Sequence, residues 1–342
     1  MSNICSDIPF RNNSDNTTHV WLIDGPRNPK PEHPHVRRAA NEHDRHWRIS
    51  SFRRNMTLQG CFIGVLVTAS PLFSQRLVGV AAVPLHGGAT VIYTLTASND
   101  LMWYRHDGRN DGSFLWAAPE GRKVGAGWNF KHIFAGDNGV IYVIDDSNNL
   151  MWYKHDGYMD GAFRWANPQG RKVGVGWNFK QAFYGGDGVI YGITADNQLK
   201  WYRHDGRADG SFKWGPSSGN VVGVGWDFTQ IFSGGNGVIY GITANNDLMW
   251  FRHDGRGDGS FKWAAPQGTK VGVGWAFKHV FSGGDGVIYT ISDTNDLLWF
   301  RHDGFKDGTF RWAASTGKKV GNGWSLKDIF PGAIIGTGHR ID

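Results

Sequence analysis

Residues 187–235 read DGVIYGITADNQLKWYRHDGRADGSFKWGPSSGNVVGVGWDFTQIFSGG, and the chain repeats this unit five times. Tryptophans recur every 49 residues in three series that begin at Trp103, Trp116 and Trp128. The five units fill residues 86–330 without insertion or deletion. A repeat period of about 20–50 residues indicates a solenoid, a propeller or a similar array.

Within the unit, the apolar pattern indicates strands and turns rather than helices. Val189–Ile193 is an apolar run bounded by turn residues, and Leu199–His204 alternates as a half-buried strand does. Residues 212–214 suggest a short third strand, and residues 221–232 are predicted to close the unit as a fourth. No apolar stripe with helical spacing interrupts this pattern.

Four short antiparallel strands in about 40–50 residues are typical of a β-propeller blade. We therefore predict an all-β chain, a five-bladed β-propeller of four-stranded antiparallel blades preceded by a poorly structured N-terminal leader. The predicted domains are a leader at 1–85, a propeller at 86–330 and a C-terminal tail at 331–342. The blades are expected at about 86–134, 135–183, 184–232, 233–281 and 282–330.

The charge and the cysteine content exclude several classes of partner and site. The net charge is only +6 over 342 residues, and the repeats show no basic stripe, which argues against a nucleic-acid partner. Cys5 and Cys61 both lie in the leader. The repeats therefore contain neither a disulfide framework nor a thiolate metal site.

The leader carries ambiguous signals. Residues 1–55 are polar, which predicts disorder or an added extension. Residues 61–69, CFIGVLVTA, resemble an export signal with a passable cleavage site, although they begin far from the N-terminus; the alternative is a strand or tether that packs on the propeller. Pro71 and Arg76 argue against membrane insertion. We expect a secreted or cell-surface protein and leave the leader signal open.

The segment His204–Gly210 contains residues that catalysis or metal binding would use. Adjacent strand residues point to opposite faces, so His204 and Asp205 would not share a proton, and no nucleophile accompanies them. Asp205 and Asp209 provide too few oxygens for calcium, and one histidine per unit cannot form a zinc site. We predict a structural turn with no catalysis, no metal and no cofactor, and keep His204 as a second-rank candidate.

A saccharide site is the third candidate. Sugar hydroxyls bind carboxylates, and sugar C–H faces pack on aromatic rings. Each unit supplies Asp209, Trp214, Trp226 and the glycines of 223–225 near predicted strand ends. The alternative places all three tryptophans of the unit in the core between blades. We accept that alternative for Trp201 and leave it open for Trp214 and Trp226.

The run 172–180, KVGVGWNFK, is followed by Phe183, Gly188 and the strand 189–191, and this pattern recurs in every unit. It resembles the repeat of the tachylectin-type five-bladed propeller lectins, in which Asp209 and Trp214 compare with the aspartate and tryptophan of a D-N-W element. The resemblance implies a non-enzymatic lectin that binds N-acetylglucosamine and N-acetylgalactosamine, with one site per blade between neighbours. This unit is slightly longer, and its His-Asp-Gly turn replaces a proline-bearing segment, which leaves the preferred sugar open.

We thus predict a multivalent carbohydrate-binding lectin whose partners are glycans carrying N-acetylglucosamine or N-acetylgalactosamine. The alternatives are a protein–protein scaffold and a glycan-active propeller enzyme, which would need a polar departure in one blade; Asn138 and Gly215-Pro216 are the mild departures present. The predicted carbohydrate-binding residues are Asp111, Trp116, Trp128, Asp160, Trp165, Trp177, Asp209, Trp214, Trp226, Asp258, Trp263, Trp275, Asp307, Trp312 and Trp324.

Overall fold

A computed structural model describes residues 88–335, so the predictions about the leader lie outside the described residues. The described part contains twenty strands in five four-stranded antiparallel sheets and no helix. None of it forms a helix that is long and apolar enough to cross a membrane. The prediction of an all-β, five-bladed propeller is confirmed.

In each blade the four strands follow one another from the centre of the ring outward. Blade 1 consists of β20 (Asp328–Ile335), β1 (Ala89–Leu95), β2 (Leu101–His106) and β3 (Arg122–Gly125). Blade 2 consists of β4 (His132–Ala135), β5 (Val140–Ile144), β6 (Leu150–His155) and β7 (Trp165–Gly174). Blade 3 consists of β8 (Gln181–Gly186), β9 (Val189–Ile193), β10 (Leu199–Arg203) and β11 (Asn220–Gly223). Blade 4 consists of β12 (Gln230–Gly235), β13 (Val238–Ile242), β14 (Leu248–Arg252) and β15 (Thr269–Gly272). Blade 5 consists of β16 (His279–Gly284), β17 (Val287–Ile291), β18 (Leu297–His302) and β19 (Trp312–Gly321).

The inner strands form the centre of the ring and also close it. β4, β8, β12, β16 and β20 contact one another in cyclic order, which places them around a common axis. β20, the last described strand, pairs antiparallel with β1, the first described strand. The ring is therefore closed by hydrogen bonds between the two ends of the repeat array, and β20 reaches Ile335 inside the predicted tail.

The sheet pairing sets the blade boundaries differently from the predicted units. Residues 226–232 were expected to close one unit, but β12 is the inner strand of the next blade, where Phe232 pairs with Tyr240. The turn between β12 and β13 explains this arrangement. Asn236 and Gly237 both have positive φ, at 52° and 80°, which suits a tight hairpin between strands adjacent in sequence. Residues 212–214 contribute only an isolated bridge between His204 and Trp214.

The hydrophobic core lies between blades rather than within them. Val91, Tyr93 and Trp103 of blade 1 pack in one cluster with Ile133 and Ile141 of blade 2. Every residue of β5, β9, β13 and β17 is buried, because each of these strands is covered on both faces by neighbouring blades. A single blade would expose both faces, so the ring is the unit that folds.

Each blade also holds down a loop of the next blade. Trp103 donates from Nε1 to the Tyr158 carbonyl at 2.8 Å, and Arg122 donates from Nη1 to the Asp160 carbonyl at 2.6 Å. Gly161, with φ of 67°, lies against the Trp103 ring, where a Cβ atom would clash. The second Asp-Gly pair of each unit is therefore required by close approach of a loop to a neighbouring tryptophan.

Candidate functional site

The histidine of each unit belongs to the packing between blades. His204 is 0% exposed, with Nδ1 2.8 Å from the Tyr142 hydroxyl of the preceding blade and Nε2 2.9 Å from the Ser211 carbonyl. A carbonyl only accepts, so Nε2 carries the proton and Nδ1 accepts from Tyr142. Burial lowers the pKa of His204 below its ordinary value, with the Ser211 hydrogen bond opposing the shift. Both ring nitrogens are occupied, which leaves neither for a ligand.

This pair recurs at every blade interface and runs around the ring. The five pairs are His106–Tyr289, His155–Tyr93, His204–Tyr142, His253–Tyr191 and His302–Tyr240. Each histidine also packs on the following tryptophan of its own unit, as His204 does on Trp214 with ring centroids 4.7 Å apart. The histidine that resembled a catalytic or metal-binding residue therefore belongs to a layer of hydrogen bonds between blades.

The predicted aspartates are exposed and shape the second turn. Asp209 accepts the Ser211 amide at Oδ1 with a distance of 3.0 Å, and its backbone carbonyl accepts Arg171 Nη1 at 2.9 Å. The Ser211 hydrogen bond lowers the pKa of Asp209, so this carboxylate is ionised at neutral pH. One oxygen fixes the turn, and the turn as a whole is held by the preceding blade.

The two predicted tryptophan series meet at blade interfaces, but the partners come from different units. Trp214 packs on Trp177 of the preceding unit at 5.4 Å, and Trp226 packs on Trp263 of the following unit at 5.3 Å. Trp214 is half-buried and donates from Nε1 to the Val173 carbonyl at 2.7 Å. These contacts do not bring Asp209 together with either indole.

A Gly-x-Gly-Trp segment, residues 223–226 in one unit, joins the outermost strand of each blade to the inner strand of the next, and we call it the Gly-Trp connection. Its indole is buried and is not an exposed surface for a ligand. Trp226 is 6% exposed, because its indole folds back over Gly223, where a Cβ atom would clash with Nε1. The whole series shares this burial: Trp128, Trp177, Trp226, Trp275 and Trp324. The exposure of Trp226, which the sequence left open, is therefore decided in favour of packing between blades.

A cleft of about 160 Å³ opens where one Gly-Trp connection meets the outer loop of the next blade, which is the segment that joins the two outermost strands of that blade. It lies between blades 5 and 1 and is lined by Tyr104, Pro119, Glu120, Asn322, Gly323, Trp324 and Leu326. Burial raises the pKa of the Tyr104 hydroxyl, which therefore stays protonated and can donate. The cleft combines a carboxylate, an amide and a hydroxyl with apolar surface. It is smaller than the roughly 300–1,000 Å³ of pockets for drug-sized ligands, so it suits one small ring.

The repeat places related residues at the other four interfaces. Asn322 is replaced by Ala126, Val175, Val224 and Val273, and the three valines are 65%, 69% and 66% exposed. Glu120 is replaced by Gln169, Ser218, Gln267 and Thr316. The sequence prediction named the tryptophan of this connection but missed these lining positions. The signal that could have found them is variation at one position between two glycines that every unit retains.

A second set of residues was also missed. One phenylalanine per unit projects from the outer loop, and its exposure lies between 58% and 69% in all five units: Phe114, Phe163, Phe212, Phe261 and Phe310. Single exposed apolar residues are ordinary, but repetition at one position gives the ring an aromatic rim. Within residues 88–335, no group of three or more potential ligands is arranged to hold a metal ion.

Comparison with known proteins gives one extensive match. The profile of the Tachylectin family matches residues 94–328. Curated proteins return no match in sequence. Among solved structures, Prp20p from Saccharomyces cerevisiae is 11% identical with a TM-score of 0.33, covering 60% of this chain and 53% of the yeast protein.

A six-bladed β-propeller lectin from the fungus Aleuria aurantia, described with a fucose recognition mode, is 15% identical with a TM-score of 0.37. That match covers 69% of this chain and 76% of the lectin, whereas this chain spans about half the length of the yeast protein. Both TM-scores are too low for the likeness to bear on function. The profile match covers more than half of the chain and agrees with the observed five-bladed fold, so the chain belongs to the Tachylectin family.

Proposed function

We propose that the protein is a multivalent lectin that binds N-acetylated hexosamines, N-acetylglucosamine or N-acetylgalactosamine, in one cleft at each blade interface. Family membership supports carbohydrate binding. The observation that carries the location is the cleft beside Trp324, where polar and apolar groups converge between two blades. The proposal includes no catalytic step and no cofactor.

The lining residues match the chemistry of an acetamido sugar. Glu120 can accept a hydrogen bond from the amide N–H or a hydroxyl, and Asn322 can donate to the acetyl carbonyl. Pro119 and Leu326 offer apolar surface for the acetyl methyl group, and Trp324 adds aromatic surface for the sugar ring. The predicted residues Asp111 and Trp116 then act indirectly, by fixing the outer loop and packing against Trp324.

Five clefts on one rigid ring suit a surface that carries many copies of one sugar. Linked weak sites gain about 10²–10⁴ in avidity when the geometry permits simultaneous contact. Because the lining differs at the positions of Asn322 and Glu120, we expect the five affinities to differ. Secretion or cell-surface display belongs to the same proposal and is tested by finding the protein in the medium of expressing cells.

The experiment is a binding assay on immobilised sugars with a blocked variant. The variant carries arginine at the exposed position of every cleft: Ala126→Arg, Val175→Arg, Val224→Arg, Val273→Arg and Asn322→Arg. These side chains are exposed, so the melting temperature should hold while the new side chains fill the clefts. We expect the natural chain to retain N-acetylglucosamine or N-acetylgalactosamine in preference to glucose and galactose, and the blocked variant to lose retention.

Two outcomes would overturn the proposal. If the natural chain binds no sugar but captures a defined protein, the scaffold alternative replaces it. If the blocked variant stays folded and binds sugars as the natural chain does, the sugar sites lie elsewhere on the ring.

A further inference from the structure

One blade interface carries a charged cleft at the opposite end of the ring from the Gly-Trp connections. Successive strands run antiparallel, so the inner hairpin turns and the His-Asp-Gly loops share one end. There a cleft of about 340 Å³ opens between blades 3 and 4. We call it the arginine cleft; it is lined by Asp187, Val189, Arg203, Asp205, Arg207, Arg256 and Gly257.

The lining holds three guanidinium groups against two carboxylates. Arg203 pairs with Asp205 at 2.8 Å, and Arg256 reaches across the interface to pair with Asp187 at 2.6 Å. Each guanidinium has five N–H donors, so both arginines keep donors beyond these pairs. The third, Arg207, is 38% exposed and makes no ion pair with either carboxylate of the lining.

Arg207 lies beside a pair of residues, Asp137 and Tyr184, that occurs only once among the repeats. Its Nε lies 3.8 Å from Asp137 of blade 2, and the Tyr184 hydroxyl donates a hydrogen bond to Asp137. The positions that correspond to Asp137 carry glycine or alanine, and those that correspond to Tyr184 carry alanine, serine or proline. Burial raises the pKa of the Asp137 carboxyl, which weakens its hold on the charge of Arg207 at lower pH. Two departures from the repeat therefore converge on one arginine.

The interface between blades 5 and 1 provides a close comparison. Asp285, Arg301, Asp303 and Arg109 occupy the positions of Asp187, Arg203, Asp205 and Arg256. Arg109 pairs with Asp285 at 2.9 Å, as Arg256 does with Asp187. The lining differs only where Phe305 replaces Arg207 and Asn110 replaces Gly257. Arg207, with the Asp137 carboxylate beside it, is thus the main feature that distinguishes the arginine cleft.

We propose that the arginine cleft binds an oxyanion, a carboxylate or a sulfate group, at one site per chain that is separate from the five sugar clefts. Guanidinium groups bind both anions through paired hydrogen bonds of matching geometry. The anion is either borne by an acidic sugar, such as a uronic acid, or free in solution. Three guanidinium groups supply the attraction, and Arg207, whose charge Asp137 partly balances, supplies donors that no lining carboxylate occupies.

The test uses the full chain in low salt and two probes, glucuronate and inorganic sulfate, by titration calorimetry. The natural chain should bind one equivalent of at least one probe. Arg207→Phe should weaken that binding tenfold or more, and Phe305→Arg should raise the stoichiometry to two. Each variant places at one interface the residue found at the equivalent position of another, so both should fold. If Arg207→Phe fails to fold, the stoichiometry of Phe305→Arg still decides.

Two further measurements, a comparison of the two probes and a competition with N-acetylglucosamine, distinguish this site from the proposed lectin sites. Tighter binding of glucuronate than of sulfate supports an acidic sugar as the source of the anion, and the reverse supports a free anion. Saturating N-acetylglucosamine should leave anion binding unchanged, whether or not that sugar itself binds. Absence of binding for both probes, an unaffected Arg207→Phe, one site in Phe305→Arg, or displacement by N-acetylglucosamine would each overturn the proposal.

Discussion

His204 and Phe212 lie eight residues apart, and both recur in all five units, yet one is 0% exposed and the other 64%. His204 is accounted for by its bonds to Tyr142 and Ser211 and by its contact with Trp214. Burial does not account for Phe212. Repetition therefore fails to distinguish residues that hold blades together from residues that are exposed on the surface. Burial and hydrogen bonding make that distinction.

Acid should produce the largest loss of stability, because it acts on all five histidines of the buried interblade layer together. Burial lowers the pKa of each one in the folded state: His106, His155, His204, His253 and His302. The folded state thus binds fewer protons than the unfolded state, whose histidines titrate with a pKa of about 6.5. Their stabilisation is complete above that value and is lost as the pH falls.

We expect the melting temperature to fall steadily between pH 7.5 and 5. Two half-buried carboxyls, Asp137 and Asp328, act in the opposite direction, since partial burial raises their pKa and protonation favours the folded state there. A melting temperature that is constant or rises over this range would show that the histidine layer does not govern stability.

Removing one histidine tests a single interface. His204→Ala leaves the Tyr142 hydroxyl without its partner and opens a cavity beside Trp214, so we expect a loss of about 2–4 kcal/mol in the free energy of unfolding. Phe212→Ala is the matched control from the exposed region and should change stability by less than about 0.5 kcal/mol. Urea unfolding of both variants measures the difference. Equal losses would contradict the comparison.

A smaller change isolates the hydrogen bond. Tyr142→Phe keeps the ring and removes the hydroxyl, which leaves Nδ1 of His204 buried without a donor. We expect a loss of about 1–2 kcal/mol, smaller than that of His204→Ala. Tyr202→Phe, at a half-buried position where Phe251 stands one repeat later, is the control and should be nearly neutral.

The smallest effect is expected at the aromatic rim. Replacing all five rim phenylalanines with serine should alter neither the melting temperature by more than a few degrees nor the affinity for N-acetylglucosamine. The measurements are thermal melting and binding to immobilised sugar. A clear loss of sugar affinity would move the sugar site from the clefts to the rim.

The sequence revealed the fold through the spacing of its tryptophans but did not reveal where each blade begins. A cyclic repeat has no marked start, and only the pairing of β20 with β1 shows where the ring closes. Burial of Trp226 was equally hidden, since it depends on an indole folding back over Gly223. Asn322 and Arg207 vary between units, so a site prediction based on residues that recur in every unit does not include them.

The proposed lectin function requires one sugar cleft at each of the five blade interfaces, and titration calorimetry with N-acetylglucosamine or N-acetylgalactosamine tests this requirement most directly. We predict a stoichiometry near five sugars per chain for the natural protein, falling toward four when Asn322→Arg blocks the cleft beside Trp324. A stoichiometry near one that is unchanged by Asn322→Arg, or no binding of either sugar, would contradict it.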